Sequence, residues 1–219
     1  MSYGRGVRPP RVRVKICGIT NSEDARAAVE AGADALGFNC FQGSKRHVDL
    51  ASTGAWIALL PAHVKKIVVT VNPTAAEALA LATLPFVDAL QLHGAETPEL
   101  CQELVAAGIR IEKALPATNP AAVASALQFG VRTIVLDSSA GGSFGGTGTV
   151  FPWQIAADFV ATHPTLRVIL AGGLDAKNVA EAIRIVRPFG VDVTTGVESR
   201  PGQKDHSLLR AFLEAARAA

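Results

Sequence analysis

The chain has 219 residues, of which 49% are hydrophobic and only 5% aromatic, and it carries a formal net charge of +2. That length allows one large domain or two small ones with an ample core, and the near balance of charge gives no reason to expect nucleic acid or an anionic membrane as partner. No apolar run approaches the roughly 18 residues of a membrane span, and the basic start, MSYGRGVRPPRVRV, lacks the apolar stretch of a secretion signal, so a cytoplasmic protein is expected.

Residues 1–11 read as an N-terminal extension. A β-run at 12–17 (VRVKIC) then precedes a helical period over 21–31, and a run at 34–39 (DALGFN) precedes one over 50–60. The same alternation continues with 65–71 (KKIVVTV) and a helix at 74–83, 86–92 (FVDALQL) and 97–107, 109–115 (IRIEKAL) and 119–129. It closes with 131–136 (VRTIVL) and 152–161, 166–171 (LRVILA) and 176–186, and 190–194 (GVDVT) and 204–217. In EAGADALGF, AAGIRIEKA, QFGVRTIVLD and PFGVDVTTG a helix end passes through a glycine into a strand, so Gly32, Gly108, Gly130 and Gly190 are expected to form left-handed caps.

Eight β-runs alternating with helices imply parallel strands joined by right-handed crossovers. Their number and spacing favour a single-domain closed (β/α)8 TIM barrel over residues 12–219. A doubly wound open sheet is the alternative, but it would want a glycine-rich turn after its first strand, and CGITNSED has one glycine. The long irregular stretch DSSAGGSFGGTGTVFPW, between the sixth strand and the sixth helix, reads as a lid or binding loop, or else as a plain connection.

Three cysteines, Cys17, Cys40 and Cys101, without a CxxC pair read as reduced thiols. The five histidines, His47, His63, His93, His163 and His206, lack metal-ligand spacing, so no metal is expected. Barrel enzymes gather their active sites at the C-terminal ends of the strands. That rule selects Cys17, Asn39, His93, Lys113, Asp137, Gly172, Gly173 and the stretch from Thr194 to Gly196. Each has a plainer reading: Cys17 as a packed thiol, Asp137 as a turn cap, His93 as a core histidine. More telling are the glycines of LAGGLDAKNVAEAI and DVTTGVES, after the seventh and eighth strands. Backbone amides there can cradle a phosphate, so a small phosphorylated substrate is expected, against the alternative that the glycines only make tight turns.

The motifs KICGIT, GADALGF, SKRHV, LQLHG, LDSS, GGTGTVFPW, LAGGL and VDVTTGVESRPGQKD occur in an order that resembles the phosphoribosylanthranilate isomerases of tryptophan biosynthesis, from about Arg13 to the C-terminus. The resemblance implies a (β/α)8 barrel that performs an Amadori rearrangement without cofactor. It implies that Cys17 is the general base, Asp137 the general acid and Arg46 the receptor of the anthranilate carboxylate. It places phosphate at the loops holding Gly172, Gly173, Thr195 and Gly196, and it puts His93 and Asp192 at the mouth as substrate-binding residues. Lys15, two residues before Cys17, shares its face of the strand, and Lys45 is expected to face solvent.

The sequence departs from the family pattern at Cys40 and Gln42, where an aromatic and a proline are common, so the loop carrying Arg46 is expected to be looser. Thr194 and Thr195 stand where serines are usual, and their methyls are expected to crowd the phosphate. A related isomerase shared with histidine biosynthesis would have aspartate at position 17, a metal-dependent epimerase would need His and Asp ligands, and an idle binding barrel would not need both Cys17 and Asp137.

Overall fold

The structure, a computed structural model, describes residues 11–117, 119–137 and 153–219. Eight parallel strands close into a barrel in chain order: β1 (Arg13–Cys17), β2 (Ala35–Asn39), β3 (Lys65–Thr70), β4 (Ala89–Leu92), β5 (Ile111–Pro116), β6 (Thr133–Asp137), β7 (Arg167–Leu170) and β8 (Gly190–Val193). Pairs such as Arg13↔Gly190 and Lys15↔Asp192 join β8 back to β1. The intervening helices are α1 (Ser22–Glu30), α2 (Leu50–Ala58), α3 (Ala75–Ala82), α4 (Pro98–Ala106), α5 (Pro120–Ala124), α6 (Trp153–Thr162), α7 (Val179–Val186) and α8 (His206–Arg217). The fold is therefore the expected (β/α)8 barrel. Residues 1–10 of the expected extension and residues 138–152 of the expected lid lie outside the described residues. Among the described residues, no helix is long and apolar enough to cross a membrane.

Short polar side chains start most of the helices by accepting otherwise unpaired amides. Asn21 accepts from Asp24 N, Asp49 from Ala51 N, and Asp205 from Ser207 N and Leu208 N. Thr74 and Glu77 form a reciprocal capping box. Thr97 and Asn119 cap helices whose first residues are Pro98 and Pro120, where a missing N–H costs nothing. Instead of running as one helix to 129, α5 tightens into a 3-10 helix over Ser125–Phe129, where Ser125 Oγ donates to Ala122 O at 2.7 Å. In α8, the buried residues Leu209, Phe212, Leu213 and Ala216 recur at i, i+3, i+4 and i+7 and face the barrel; burying each of the three larger ones contributes roughly 1.5–3 kcal/mol.

Gly32, Gly108 and Gly130 take the expected positive φ. Gly190 does not: it opens β8, where a Cβ would crowd the carbonyl of Arg13 on the neighbouring strand. The left-handed cap of α7 is Arg187, at φ 51°. The glycine is thus required for strand proximity rather than for helix termination.

Alternation along each strand divides the chain chemically. Val14, Ile16, Leu36, Phe38, Leu90, Leu92, Ile134 and Leu136 join the outer core under the helices. Ala114, Val135, Ile169 and Ala171 form a separate apolar cluster on β5, β6 and β7 and the residue that follows β7. Lys15, Gln91 and Asp192 meet in the interior beside β1. At the opposite end, Asp34 accepts from Val14 N at 2.9 Å and pairs with Arg11, Arg13 and Arg217, tying β1, β2 and α8 together.

Candidate active site

A cleft of about 640 Å³, solvent mouth included, opens at the C-terminal ends of the strands. Cys17 enters it from the end of β1, Asn39 from β2, His93 from just beyond β4, Asp137 from the end of β6 and Asp192 from β8. Arg46 reaches it from the loop after β2, and Gly172, Gly173, Thr194 and Thr195 complete its rim. Residues as distant in sequence as 17 and 192 are thereby brought onto one wall.

Beneath the cleft is a polar network. Lys15 Nζ donates to Asp192 Oδ2 at 2.6 Å and to Gln91 Oε1 at 2.7 Å, and both charged groups are buried. Burial opposes the Lys15 charge, but Asp192, with Cys17 and Glu112, outweighs it and raises the ammonium pKa. Cys17 sits one pleat above. Burial pushes its thiol pKa up; Lys15 and Lys204 pull it down, Asp192 pushes it further up, and the net direction is upward. The positive surroundings foreseen from Lys15 are therefore present, yet desolvation prevails over them. Glu112 also feels burial first and is raised to about 7, with Lys15 opposing and Asp192 adding to the rise. Burial raises Asp192 too, against the pull of Lys15. Its Oδ1 accepts no hydrogen bond from any described residue.

His93 Nε2 lies 3.6 Å from Asp137 Oδ2, and its Nδ1 is 3.4 Å from Gln91 Nε2. Burial is the leading influence on His93 and, with Lys15 and Lys113 adding to it against Asp137, lowers its pKa, so the imidazole is neutral at pH 7. Lys113, expected at the mouth, is not there. It has the opposite strand parity to Glu112 and lies outside the barrel, where Nζ pairs with buried Glu96 at 2.8 Å and faces the Phe129 ring. Glu96 in turn accepts from Asn72 N and Gly94 N, so this ion pair shapes the loop that carries His93.

Arg46 is held by a carboxylate of the protein. Its Nε and Nη2 donate to Glu198 Oε1 and Oε2 at 2.8 and 2.6 Å. Glu198 begins β9 (Glu198–Arg200), which pairs with β10 (Gln203–Lys204) as a small hairpin ahead of α8. Lys204 Nζ, fully buried, donates to Cys17 O at 2.6 Å, to Glu198 Oε1 at 3.1 Å and to Thr194 O at 3.3 Å. Lys45 is exposed, as expected. The loop of Arg46, expected to be loose, is pinned by Asn39 Oδ1, which accepts from Phe41 N at 2.9 Å, and by Ser44 Oγ, which accepts from Arg46 N at 3.1 Å.

The two glycine loops lie against each other. Gly172 and Gly173 both have positive φ, 84° and 65°, a backbone conformation that residues with a Cβ rarely adopt. Asn178 Nδ2 fixes Gly173 O at 2.8 Å. Gly196, in a three-residue 3-10 turn (Thr195–Val197), packs behind the rim so closely that a Cβ would collide with the carbonyl of Leu174. The Cγ2 of Thr194 lies over Gly18, so its extra methyl is spent against the chain after Cys17.

Glu198, Lys204, Gln91 and Glu112 were missed from sequence. The available signal was a charged or polar side chain within an apolar strand or a short motif, since such a group must find a partner when buried. Sequence alone did not reveal which partner.

A family model described as N-(5'phosphoribosyl)anthranilate (PRA) isomerase matches residues 14–215. The N-(5'-phosphoribosyl)anthranilate isomerase of Magnetococcus marinus is 41% identical over 208 residues, covering 95% of this chain and 96% of that protein. The crystal structure of phosphoribosyl anthranilate isomerase from Thermotoga maritima superposes with a TM-score of 0.85 at 39% identity, covering 95% of this chain and all of that one. A structure of phosphoribosyl anthranilate isomerase in complex with reduced 1-(o-carboxyphenylamino)-1-deoxyribulose 5-phosphate gives 0.81 at 38% identity and 95% and 100% coverage. With the family model spanning nearly the whole barrel, the chain belongs to the N-(5'-phosphoribosyl)anthranilate isomerase family.

Proposed function

We propose that this barrel converts N-(5'-phosphoribosyl)anthranilate to 1-(2-carboxyphenylamino)-1-deoxyribulose 5-phosphate, with Cys17 as general base and Asp137 as general acid. The observation that carries the reading is that a thiol and a carboxyl group from β1 and β6 line one cleft together with a guanidinium and two glycine loops. The phosphate binds at Gly172, Gly173 and the Thr195–Gly196 turn, and the anthranilate carboxylate binds Arg46. These two anchors set the ribose between acid and base.

Asp137 gives its proton to the furanose oxygen while the anilino nitrogen supplies electrons. The C1–O bond breaks, leaving an open-chain iminium. Neutral His93 lies beside the carboxyl group, 3.6 Å from Asp137 Oδ2. Cys17 then removes the C2 proton, and the enolamine tautomerises to the ketone. Burial raises the resting thiol pKa, so Cys17 acts from its thiolate, formed when the thiol loses its proton to solvent at the open mouth of the cleft and favoured by the iminium cation beside it and by Lys15 below. Asp192 lines the floor of the cleft, where its carboxylate, paired with Lys15, faces the ribose side of the substrate. Each positioned proton transfer contributes about 10²–10⁴-fold.

The test is a fluorescence assay following loss of N-(5'-phosphoribosyl)anthranilate with purified protein and its Cys17→Ser variant. Turnover by the parent and a loss on the order of 10²-fold or more in the variant, with an unchanged melting temperature, are expected. No turnover by the parent removes the reading; near-normal turnover by the variant removes Cys17 from it.

A further inference from the structure

Arg46 has two hydrogen-bonding forks, and Glu198 uses one of them. The side-on fork, Nε with Nη2, is closed by the two carboxylate oxygens of Glu198. The end-on fork, Nη1 with the second hydrogen of Nη2, is taken by no described residue, and Arg46 lines the cleft. Glu198 is itself held: Oε1 accepts from Lys204 Nζ and, at 3.2 Å, from Gly202 N. The stem of Arg46 crosses Gly18 so tightly that a Cβ there would strike its Cδ. Guanidinium, stem and carboxylate are therefore all fixed before anything binds.

We propose that Glu198 is a positioning residue for substrate recognition, which locks the guanidinium of Arg46 by its side-on fork and leaves the end-on fork aimed at an aromatic carboxylate. The inference rests on the reading of Arg46 as the carboxylate site. A planar two-donor fork recognises a planar two-acceptor group best when neither has to rotate on binding. The hairpin carrying Glu198 and Lys204 also holds Cys17 O and Thr194 O, so the same element sets the carboxylate anchor relative to the base and the phosphate loop.

The experiment compares dissociation constants for two probes: reduced 1-(o-carboxyphenylamino)-1-deoxyribulose 5-phosphate and the same compound without the carboxyl group. The parent should prefer the carboxylated probe. Glu198→Gln should weaken that probe about tenfold, the order expected for misaligning a charge-assisted pair, and shift the decarboxylated one less than about twofold. Glu198→Asp keeps a negative charge for Lys204 and so protects the fold, but it is one methylene too short to close the fork and should also lose the preference. Equal weakening of both probes, or full preference in both variants with parental melting temperatures, overturns the inference. Arg46→Met separates the two levels of the argument. If it abolishes the preference while the Glu198 variants retain it, Glu198 alone is wrongly assigned; if it leaves the preference intact, the carboxylate site itself lies elsewhere.

Discussion

Lys15 Nζ lies 2.6 Å from Asp192 Oδ2 inside the barrel, one pleat below the thiol of Cys17 on β1. The ion pair is buried, so removing one partner leaves the other uncompensated. Lys15 is also the strongest influence drawing the Cys17 pKa downward against burial.

Replacing Lys15 by Met should therefore raise the thiol pKa further and leave the Asp192 charge facing it. The expected result is a shift of iodoacetamide alkylation of Cys17 to higher pH and a fall in kcat of about 10–100-fold, within the range of a single proton-transfer contribution. An alkylation profile identical to that of the parent would show that the cation does not act on the thiol.

Asp137→Asn keeps the size of the proposed acid and removes its proton. With both substrate anchors intact, kcat should drop by about 10²–10⁴-fold while KM changes little. Steady-state kinetics decide it, and an unaltered kcat would assign the acid to another group.

Glu112 gives a pH signature. Its folded pKa is raised to about 7 by burial, above the ordinary glutamate value of about 4.3. The folded state therefore binds this proton more tightly, and the associated stability is fully present below pH 4 and lost as pH rises through 7. Glu112→Gln should be more stable than the parent at pH 8 by on the order of 3 kcal/mol, the gap closing towards pH 4. Thermal melts across that range measure it, and a gap independent of pH would contradict the assignment.

Gly196→Ala introduces a Cβ against backbone atoms of Leu174 and Asp175, which cannot rotate away. The turn must shift relative to the Gly172–Gly173 loop, at a cost of about 1–3 kcal/mol. KM should rise about tenfold or more, and competitive inhibition by inorganic phosphate should weaken in parallel. Unchanged phosphate inhibition would place the anion away from these loops.

The amino-acid sequence by itself determined the succession of eight β-runs and eight helices, because hydrophobic period, cap residues and helix-ending glycines are local properties. It also marked Cys17, Asp137, Arg46 and the two glycine loops, through the strand-end rule and ordered motifs. Tertiary structure alone decided which charges are paired. Lys113, expected at the mouth, lies in the middle of β5, where side-chain parity sends it behind the barrel to Glu96, while Lys15, mid-strand in β1, points inward to Asp192. Arg46 and Glu198 are 152 positions apart and meet only because barrel closure brings the loop after β2 beside the hairpin after β8. The balance that keeps the Cys17 thiol protonated has the same origin. Desolvation and the opposing cations depend on distances set by closure of β8 onto β1, and no local pattern encodes them.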